Sequence, residues 1–464
     1  MSKRISITDF TRSKNQLALT YFADDIKFTA SHWYPDIDFF ELEEKYGYPF
    51  MEKIYFHITI FNFSQLINLR PETVDLGPFS KYHTADFEML WNSIFRGEWS
   101  QWRYLNDLPD YKGPKFISSQ TDSSIPPISI EANGVEVLNL VGGGKDSLVS
   151  MKLFEKAKIP FSTFARSQSV MGRAKVQHEL IETSIKGCSF KQHHKYYVYD
   201  DFLDSPMADL YPEYKEGFDF PETVMCIFSV FPLMLKYGYK HVSLGNERSA
   251  EVGNLVWDKT GEEINHAWAK TFNAEKLYNG YINKHLIANF SSFSILRPIY
   301  DVLIFGLLSE NESLIENIFS CNIEKPWCYK CPKCAYIWLC YMAYLPTNLV
   351  NLIFQNRNLF DFEENQKWYG QLLGLDKHNS FECVGQIPES QLAFELCSKK
   401  GISGKAMDMY RKNIKNIDFK KIANKYLDVA TKTHQIPDKF SKKIFDIFHK
   451  SSDRTKIKIL QILR

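Results

Sequence analysis

The sequence predicts an α/β protein with a parallel sheet and helices on both of its faces. From Val135 onward, short apolar runs typical of buried strands alternate with stretches that are apolar at helical spacing. A glycine-rich turn follows the first of these strands, and four cysteines fall within fourteen positions further along the chain. The 464 residues are enough for roughly two to three domains and a large core.

The elements of this α/β region follow in order. "VEVLNLV" is a continuous apolar run of the kind that a strand buried on both faces shows, and "DSLVSMKLFEKAK" then has helical spacing. The next predicted elements are a strand in "IPFSTFAR", a helix in "AKVQHELIETSIKG" that stops at its glycine, a strand in "KYYVYD", one buried helix in "PETVMCIFSVFPLMLKYGY", and a strand in "KHVSLGNERSAE" that runs into a polar loop.

Four regions are predicted along the chain. Residues 1–125 form a β-rich N-terminal domain with strand-like runs such as "KIYFHITIF", and "SSQTDSSIPPIS" is a linker. The α/β domain covers residues 130–315, a cysteine segment covers 316–346, and a helical C-terminal region covers 347–464. This last region ends in a basic tail, because residues 401–464 hold sixteen Lys and Arg against six Asp.

Composition excludes several classes of protein. A formal net charge of +1 carries no nucleic-acid signature for the whole chain, so nucleic-acid binding would rest on the basic tail alone, which is more simply a solvated helical surface. The N-terminus "MSKRISITDFTRSKNQ" has no apolar core of a signal peptide, and the longest apolar stretches are too short to span a bilayer. We therefore expect a cytoplasmic protein without a membrane segment.

The glycine-rich turn predicts an anion site. Gly142, Gly143 and Gly144 let the backbone turn tightly and bring its N–H groups against a ligand, and the helix that follows points its positive dipole end at the same place. Lys145 adds a charge and Ser147 a hydroxyl donor, which suits phosphate. Asp146 suits a Mg²⁺ ion that arrives with a nucleotide. The spacing is neither that of a Walker A loop nor G-x-G-x-x-G.

The cysteine segment predicts a structural metal site. The spacing of Cys321, Cys328, Cys331 and Cys334 is C-x6-C-x2-C-x2-C, which fits tetrahedral Zn²⁺ with no open position. An iron–sulfur cluster is the alternative. Crowded cysteines of this kind belong to a metal site in a reducing compartment more than to a disulfide framework.

Further polar residues follow predicted strands or lie in short polar runs. Because ligands bind at the carboxyl ends of strands in open α/β sheets, we expect these residues near the same edge. Asn246, Glu247 and Arg248 form a polar run after one strand, His266 and Lys270 lie in the polar segment that follows, and Glu382 and Cys383 lie beside a glycine further along. His266 and Lys270 would share a face if their segment is helical.

Two resemblances carry these observations further. The glycine turn resembles the S-G-G-x-D-S loop of the N-type ATP pyrophosphatases (the PP-loop superfamily), with Gly142 at the position of the serine. The segments "GGGKDS", "NERSA", "SILRP", "FSCN", "WCYKCPKC" and "FECVG" resemble, in this order over about residues 135–395, the MurL family of UDP-N-acetylmuramoyl-L-alanyl-L-glutamate epimerases.

The MurL resemblance implies an ATP-dependent epimerase of peptidoglycan precursor synthesis. ATP and Mg²⁺ would adenylate the carboxylate of the terminal L-glutamate of a UDP-linked muramoyl dipeptide, releasing pyrophosphate. The adjacent Cα would then be inverted, and AMP removed. Under this resemblance, expected nucleotide or substrate contacts are Ser167, Asn246, Glu247 and Arg248, and candidate proton-transfer groups are His266, Lys270, Glu382 and Cys383. A zinc ion would be structural.

Three other hypotheses about the function stay open at this point. One is a PP-loop enzyme that adenylates a different carboxylate, or a base, as the 7-cyano-7-deazaguanine synthases do. Another is a zinc-stabilised nucleotide- or partner-binding protein without turnover. The last is nucleic-acid binding through the basic tail, which would show a steep salt dependence.

Overall fold

A computed structural model describes residues 2–122, 125–169, 172–206 and 219–464. Its strands are β1 (Arg4–Arg12), β2 (Gln16–Ala23), β3 (Ile26–Trp33), β4 (Thr73–Asp75), β5 (Lys115–Phe116), β6 (Val137–Leu140), β7 (Phe161–Gln168), β8 (His193–Asp200), β9 (His241–Leu244), β10 (Leu255–Val256), β11 (Glu263–Ile264) and β12 (Ser291–Ser294). Two residues of the predicted linker, 123 and 124, lie outside the described ranges.

Helices flank these strands. They are α1 (Phe39–Tyr46), α2 (Tyr48–Phe63), α3 (Ala85–Glu98), α4 (Ser100–Leu105), α5 (Lys145–Ala157), α6 (Ala174–Ile185), α7 (Glu222–Ser229), α8 (Phe231–Tyr237), α9 (Phe272–His285), α10 (Asp301–Leu308), α11 (Glu312–Ile315), α12 (Pro332–Tyr344), α13 (Thr347–Ile353), α14 (Glu363–Leu372), α15 (Ile387–Lys399), α16 (Lys405–Asn413), α17 (Phe419–Tyr426) and α18 (Asp438–Ile462). No helix among the described residues has the length and apolar character needed to cross a lipid bilayer.

One ten-stranded sheet, in the order β12-β9-β6-β7-β8-β3-β2-β1-β4-β5, organises the fold. The five strands from β12 to β8 are parallel to one another, as the alternation of strands and helices predicts. Strand β3 pairs antiparallel with β8 and leads into the antiparallel β1–β3 meander. The mixed α/β class is therefore confirmed, and the N-terminal strands continue the same sheet.

The sheet is buried on both faces, which explains the uninterrupted apolar run of its central strand. Within β6, Val137 belongs to a core formed with α5, α10 and α12, whereas Leu138 belongs to a core on the other face with α2, α7 and α8. Successive side chains of a strand point to opposite faces, so each must be apolar when both faces are covered.

Two local predictions are wrong. "KIYFHITIF" is part of helix α2, so residues 1–125 contain four helices besides their strands and are not simply β-rich. Because α2 is buried almost all around, its sequence lacks the polar face that would have revealed a helical period. The single helix predicted after Pro221 is two helices, α7 and α8, since Pro232 lies in the first turn of α8 and cannot continue an earlier helix.

The carboxyl ends of the central strands define the functional edge of the sheet. Strand β6 ends at the glycine turn, β9 ends just before Gly245, and β12 ends shortly before Arg297. The helical C-terminal region closes over this half of the sheet, and its last helix, α18, packs against α5 and α10.

Candidate functional site

The glycine turn connects β6 to α5 in a conformation that requires glycine at its centre. Gly143 has φ +85°, and a Cβ atom there would lie 2.5 Å from the ring of Phe319. Gly144 is the N-cap residue of α5, and the Gly142 N–H donates to Ser147 Oγ at 2.9 Å. The result is an open turn at a helix N-terminus, which is the geometry of an anion site.

Lys145 does not extend into this turn. Its side chain is 2% exposed, and its ammonium donates to Asp146 Oδ1 and to Asp301 Oδ1, both at 2.7 Å. Tyr336 donates to the other oxygen of Asp301 at 2.7 Å. The expected charge of Lys145 therefore lies beneath the loop, where it anchors α5 to α10 and α12, while the Asp146 side chain keeps partial exposure at the loop itself.

A cavity of about 250 Å³ opens at the glycine turn. Its lining, here called the glycine-loop cavity, includes Gly142, Asp146 and Ser147 together with Arg166, Cys226, Asn246 and Lys270. Ser167 is not among the lining residues, because its hydroxyl turns to His178 Nε2 at 3.0 Å. Its neighbour Arg166 faces the cavity instead, since adjacent residues of a strand point to opposite faces.

Three of the four candidate proton-transfer residues meet in one cluster. Lys270 Nζ lies 2.8 Å from Cys383 Sγ, and His266 is hydrogen-bonded to the same thiol. The segment between His266 and Lys270 is a turn followed by a short 3₁₀ helix, Trp268–Lys270, so the predicted shared helix face is not what brings them together. Both converge because the loop before α15 carries Cys383 to them. We call His266, Lys270 and Cys383 the Cys383 cluster.

Electrostatics within the Cys383 cluster favour a thiolate. Burial alone raises the pKa of Cys383, but the Lys270 ammonium and the hydrogen bond from His266 outweigh burial and lower that pKa to about 7. Burial would lower the pKa of His266, yet Cys383 and Glu382 raise it to about 9. Near neutral pH the cluster is thus an imidazolium and an ammonium around a sulfur that readily ionises.

Glu382, the fourth candidate, is held beside the cluster. Its Oε1 accepts from the Cys383 N–H and from Asn322 Nδ2, each at 2.9 Å. A His, a Glu and a Cys within 4.8 Å of one another can in principle hold a metal ion. Here the Lys270 ammonium already contacts the sulfur, and its charge opposes a cation at that position.

The Cys383 cluster opens into a second cavity of about 200 Å³. His266, Glu382 and Cys383 line it together with Glu247, Asn254, Asn265 and Gln386, and we call it the thiol cavity. Lys270 lines the glycine-loop cavity and also contacts Cys383, which lines the thiol cavity. One ammonium group therefore lies between the two cavities.

The "NERSA" segment divides among three environments. Asn246 lines the glycine-loop cavity, and Glu247 lines the thiol cavity. Burial opposes ionisation of Glu247, but Lys270 and Lys145 hold its pKa well below the usual value, so it is a carboxylate. The Arg248 guanidinium instead lies over the Tyr300 ring at 4.5 Å and 3.4 Å from Asp428, outside both cavities.

Three residues that support the cluster were not singled out from the sequence. Gln101, at the N-terminal end of the chain's α4, accepts from His266 Nδ1 at 2.6 Å, and Lys333 in α12 donates to the carbonyl of Cys383. Arg297, 1% exposed, bridges Glu251 and the carbonyl of Lys270. Two of them lie in segments that the sequence analysis named, Arg297 in "SILRP" and Lys333 in "WCYKCPKC". Gln101 lies among aromatic residues with no polar pattern to mark it.

The predicted metal ligands do come together. The four sulfurs lie within 4.8 Å of one another, with Cys321 3.8 Å from Cys331 and Cys328 3.9 Å from Cys334. Four sulfurs at about 2.3 Å from a tetrahedral Zn²⁺ are separated by about 3.8 Å, so this four-cysteine cluster fits the ion.

The cysteine segment also connects the two cavities. Within it, Phe319 packs on Gly143, and the Phe319 N–H donates to the Gly143 carbonyl at 3.1 Å. Within it, Asn322 binds Glu382 and Lys333 binds the Cys383 carbonyl. The segment that carries the four-cysteine cluster therefore positions the glycine turn relative to the Cys383 loop.

Sequence comparisons identify relatives of the chain. The model of the MurL N-terminal domain matches residues 4–186 and 219–295, and the model of the MurL C-terminal domain matches residues 316–417. Three UDP-N-acetyl-alpha-D-muramoyl-L-alanyl-L-glutamate epimerases align: one from Salinispora tropica at 26% identity over 320 residues, one from a Micromonospora species at 27% over 322, and one from Xanthomonas oryzae pv. oryzae at 26% over 327.

These alignments cover 67–68% of the chain and 66–68% of the relatives, so the chain spans about two thirds of their length. The matched regions contain the glycine turn, the Cys383 cluster and the four-cysteine cluster. The match to the MurL N-terminal model begins at residue 4, so it also includes β1–β5 and α1–α4, the last of which carries Gln101. Together the two domain models match well over half of the residues, and the chain belongs to the MurL family.

Proposed function

We propose that this protein is an ATP-dependent epimerase that inverts the terminal L-glutamate of UDP-N-acetylmuramoyl-L-alanyl-L-glutamate through an adenylated carboxylate. The relatives are named for this epimerisation. The observation that carries the proposal is the pair of adjoining cavities: one is built on a glycine turn at a helix N-terminus, and the other contains an ionisable thiol beside an imidazole. Adenylation and proton transfer at one substrate need such neighbouring subsites.

In this proposal the glycine turn is a PP-loop that holds the phosphates of ATP. The backbone N–H groups before α5 and the Ser147 hydroxyl are its donors, and Arg166 adds a positive charge at the cavity wall. Asp146 is the residue we assign to Mg²⁺. A Mg²⁺ ion would neutralise phosphate charge during transfer of the adenylyl group.

Adenylation solves a charge problem at the substrate. A glutamate carboxylate is already negative, so removing the adjacent Cα proton would build a dianion. The mixed anhydride with AMP removes that charge and leaves a carbonyl that can accept the electrons as an enolate. Lys270, between the two cavities, is placed to stabilise negative charge on that oxygen.

Proton transfer is assigned to the groups that line the thiol cavity. Inversion requires a proton to leave one face of Cα and another to arrive on the opposite face, so an acid and a base must both be within reach. His266, Cys383 and Glu382 are the candidates, with Lys270 as the electrostatic partner. Residues of the four-cysteine cluster would hold structural Zn²⁺, which cross-links their segment and thereby fixes the loop of Cys383.

The test is an incubation with ATP, Mg²⁺ and the UDP-linked muramoyl dipeptide in D₂O. We expect AMP and pyrophosphate, deuterium at the glutamate Cα, and D-glutamate in the recovered peptide. AMP without Cα exchange would mean adenylation of this carboxylate without inversion and would direct the search to another acceptor. Absence of AMP from a folded, zinc-loaded sample would contradict the proposed function.

A further inference from the structure

Cys383 differs from the other described cysteines that lie outside the four-cysteine cluster. Burial raises the pKa of Cys188 to about 11 and those of Cys226 and Cys397 to about 12. Cys383 alone among them has an ammonium 2.8 Å from its sulfur, with an imidazole hydrogen-bonded to the same atom. Such surroundings are those of a reactive thiolate and not of an inert core thiol.

The position of the sulfur suits attack on a carbonyl. An acyl adenylate with its phosphate in the glycine-loop cavity and its peptide in the thiol cavity must pass Lys270, which lines the first cavity and contacts Cys383 in the lining of the second. Its carbonyl carbon, flanked by phosphate on one side and peptide on the other, would then lie next to the Lys270 ammonium. Cys383 Sγ is the nucleophilic atom at that position.

We infer that Cys383 is a covalent nucleophile that takes the glutamyl group from AMP as a thioester, and that inversion takes place on this acyl-enzyme. The inference rests on the proposed adenylation. It narrows the assignment of proton transfer to His266 and Glu382, since the sulfur is occupied while Cα is inverted.

The steps balance without an added reactant. The Cys383 thiolate forms a C–S bond to the carbonyl carbon of the mixed anhydride, and the C–O bond to the phosphate breaks, so that AMP leaves with the electron pair. A base removes the Cα proton, the electrons rest on the thioester oxygen near Lys270, and a proton returns to the other face of Cα. Water then adds to the carbonyl, the C–S bond breaks, and the thiolate and the carboxylate are regenerated with release of two protons.

Formation of the thioester also changes His266. Burial lowers the pKa of His266, and it is chiefly the hydrogen bond and charge of Cys383 that raise it to about 9. Acylation removes the thiolate, so the imidazolium loses its main stabilising partner and releases its proton more easily. The same event that creates the acidic Cα therefore produces a base in the thiol cavity.

The experiment is a single-turnover reaction with ATP, Mg²⁺ and the UDP-linked muramoyl dipeptide, which carries a radiolabel in its peptide. Samples are quenched with acid at successive times. We expect label that stays with the denatured wild-type protein, is released by neutral hydroxylamine, and maps to the peptide containing Cys383. AMP should form in a burst ahead of free peptide. The matched control, Cys188→Ser, changes a half-buried thiol outside both cavities and should give the same adduct as the wild type.

Two variants of Cys383 separate this inference from the proposed function. Cys383→Ala should still release pyrophosphate in the first turnover, which also shows that it folds, but it should form no adduct and lose Cα exchange by about 10³-fold or more. Cys383→Ser should accumulate an oxygen ester that hydrolyses slowly and is visible as a mass increase of the intact protein. AMP and D-glutamate from the wild type, with no adduct in the wild type and none in Cys383→Ser, would overturn the inference and leave the epimerase intact. No AMP from any of the proteins would instead contradict the proposed function.

Discussion

The chain holds two clusters of sulfur chemistry that are built in opposite ways. In the four-cysteine cluster, thiols face one another and all four come from fourteen consecutive residues. In the Cys383 cluster a single thiol faces a lysine and a histidine that are more than a hundred residues away in the chain. Four sulfurs that face one another are arranged as ligands for a soft cation, whereas a sulfur that faces an ammonium and an imidazole is arranged as a nucleophile or a base. The side chains around a sulfur, and not the cysteine itself, therefore determine which chemistry the sulfur suits.

Removing one ligand of the four-cysteine cluster should have the largest effect. Cys334→Ala leaves three sulfurs for Zn²⁺, and the loss of metal binding should cost more than about 4 kcal/mol of unfolding free energy. Thermal unfolding and zinc content measured on the purified protein would show it, with Cys188→Ser as the matched control that leaves both unchanged. A variant with full stability and no zinc would mean that the cluster does not support the fold.

Removing the Lys270 ammonium from the Cys383 cluster should reduce the epimerisation rate without a comparable loss of unfolding free energy. The Lys270 ammonium lowers the pKa of Cys383, and burial raises it. In Lys270→Met the ammonium is gone while burial remains, so we expect the pKa of Cys383 to rise from about 7 and the epimerisation rate to fall by about 10²–10³-fold.

The pH dependence of Cys383 alkylation by iodoacetamide measures the pKa of the thiol directly. In the wild type the rate should increase through about pH 7, because only the thiolate reacts. Lys276→Met, on the exposed face of α9, is the control, and an unchanged alkylation midpoint in Lys270→Met would contradict the assigned role of the ammonium.

The glycine turn offers a matched pair of substitutions. A Cβ at Gly143 would meet Phe319 at 2.5 Å in a left-handed backbone conformation, whereas a Cβ at Gly142 would have no neighbour within 4 Å among the residues that the structure describes. Gly143→Ala should therefore cost about 1–3 kcal/mol of stability and weaken ATP binding, while Gly142→Ala should change stability by less than about 0.5 kcal/mol. Chemical denaturation and the KM for ATP would test both. Equal effects of the two substitutions would mean that the turn is held by something other than its contact with Phe319.

The smallest of these effects is expected at Gln101, which contacts His266 and neither cavity directly. Its Oε1 accepts from Nδ1 of His266, which keeps Nε2 for chemistry. Gln101→Leu should lower kcat by about tenfold (about 1.4 kcal/mol) with little change in the KM for ATP, and Gln101→Glu should restore most of the rate while shifting the pH profile. A fall in KM and kcat that Gln101→Glu does not rescue would indicate a packing role only.

The sequence by itself determined the features whose parts are contiguous. Buried parallel strands follow from runs such as "VEVLNLV", the turn before α5 from its three glycines, and the four-cysteine cluster from its cysteine spacing. Each of these features depends on backbone conformation or on side chains a few residues apart, so the order of neighbouring residues is enough to predict it. The same locality explains the error at α2, where a helix buried all around has no polar face and its apolar run fits either a helix or a strand.

Only the tertiary structure decided how the candidate residues are used. Lys145 is one position from the glycine turn, yet its charge is buried against Asp301, and Ser167 points away from the cavity that its neighbour Arg166 lines. Gln101 in the N-terminal region, Lys333 in the cysteine segment and Cys383 before α15 meet only because the shared sheet and the C-terminal helices bring their loops to one edge. Long-range packing sets those distances, and a distance between atoms far apart in the chain has no local pattern from which it can be predicted.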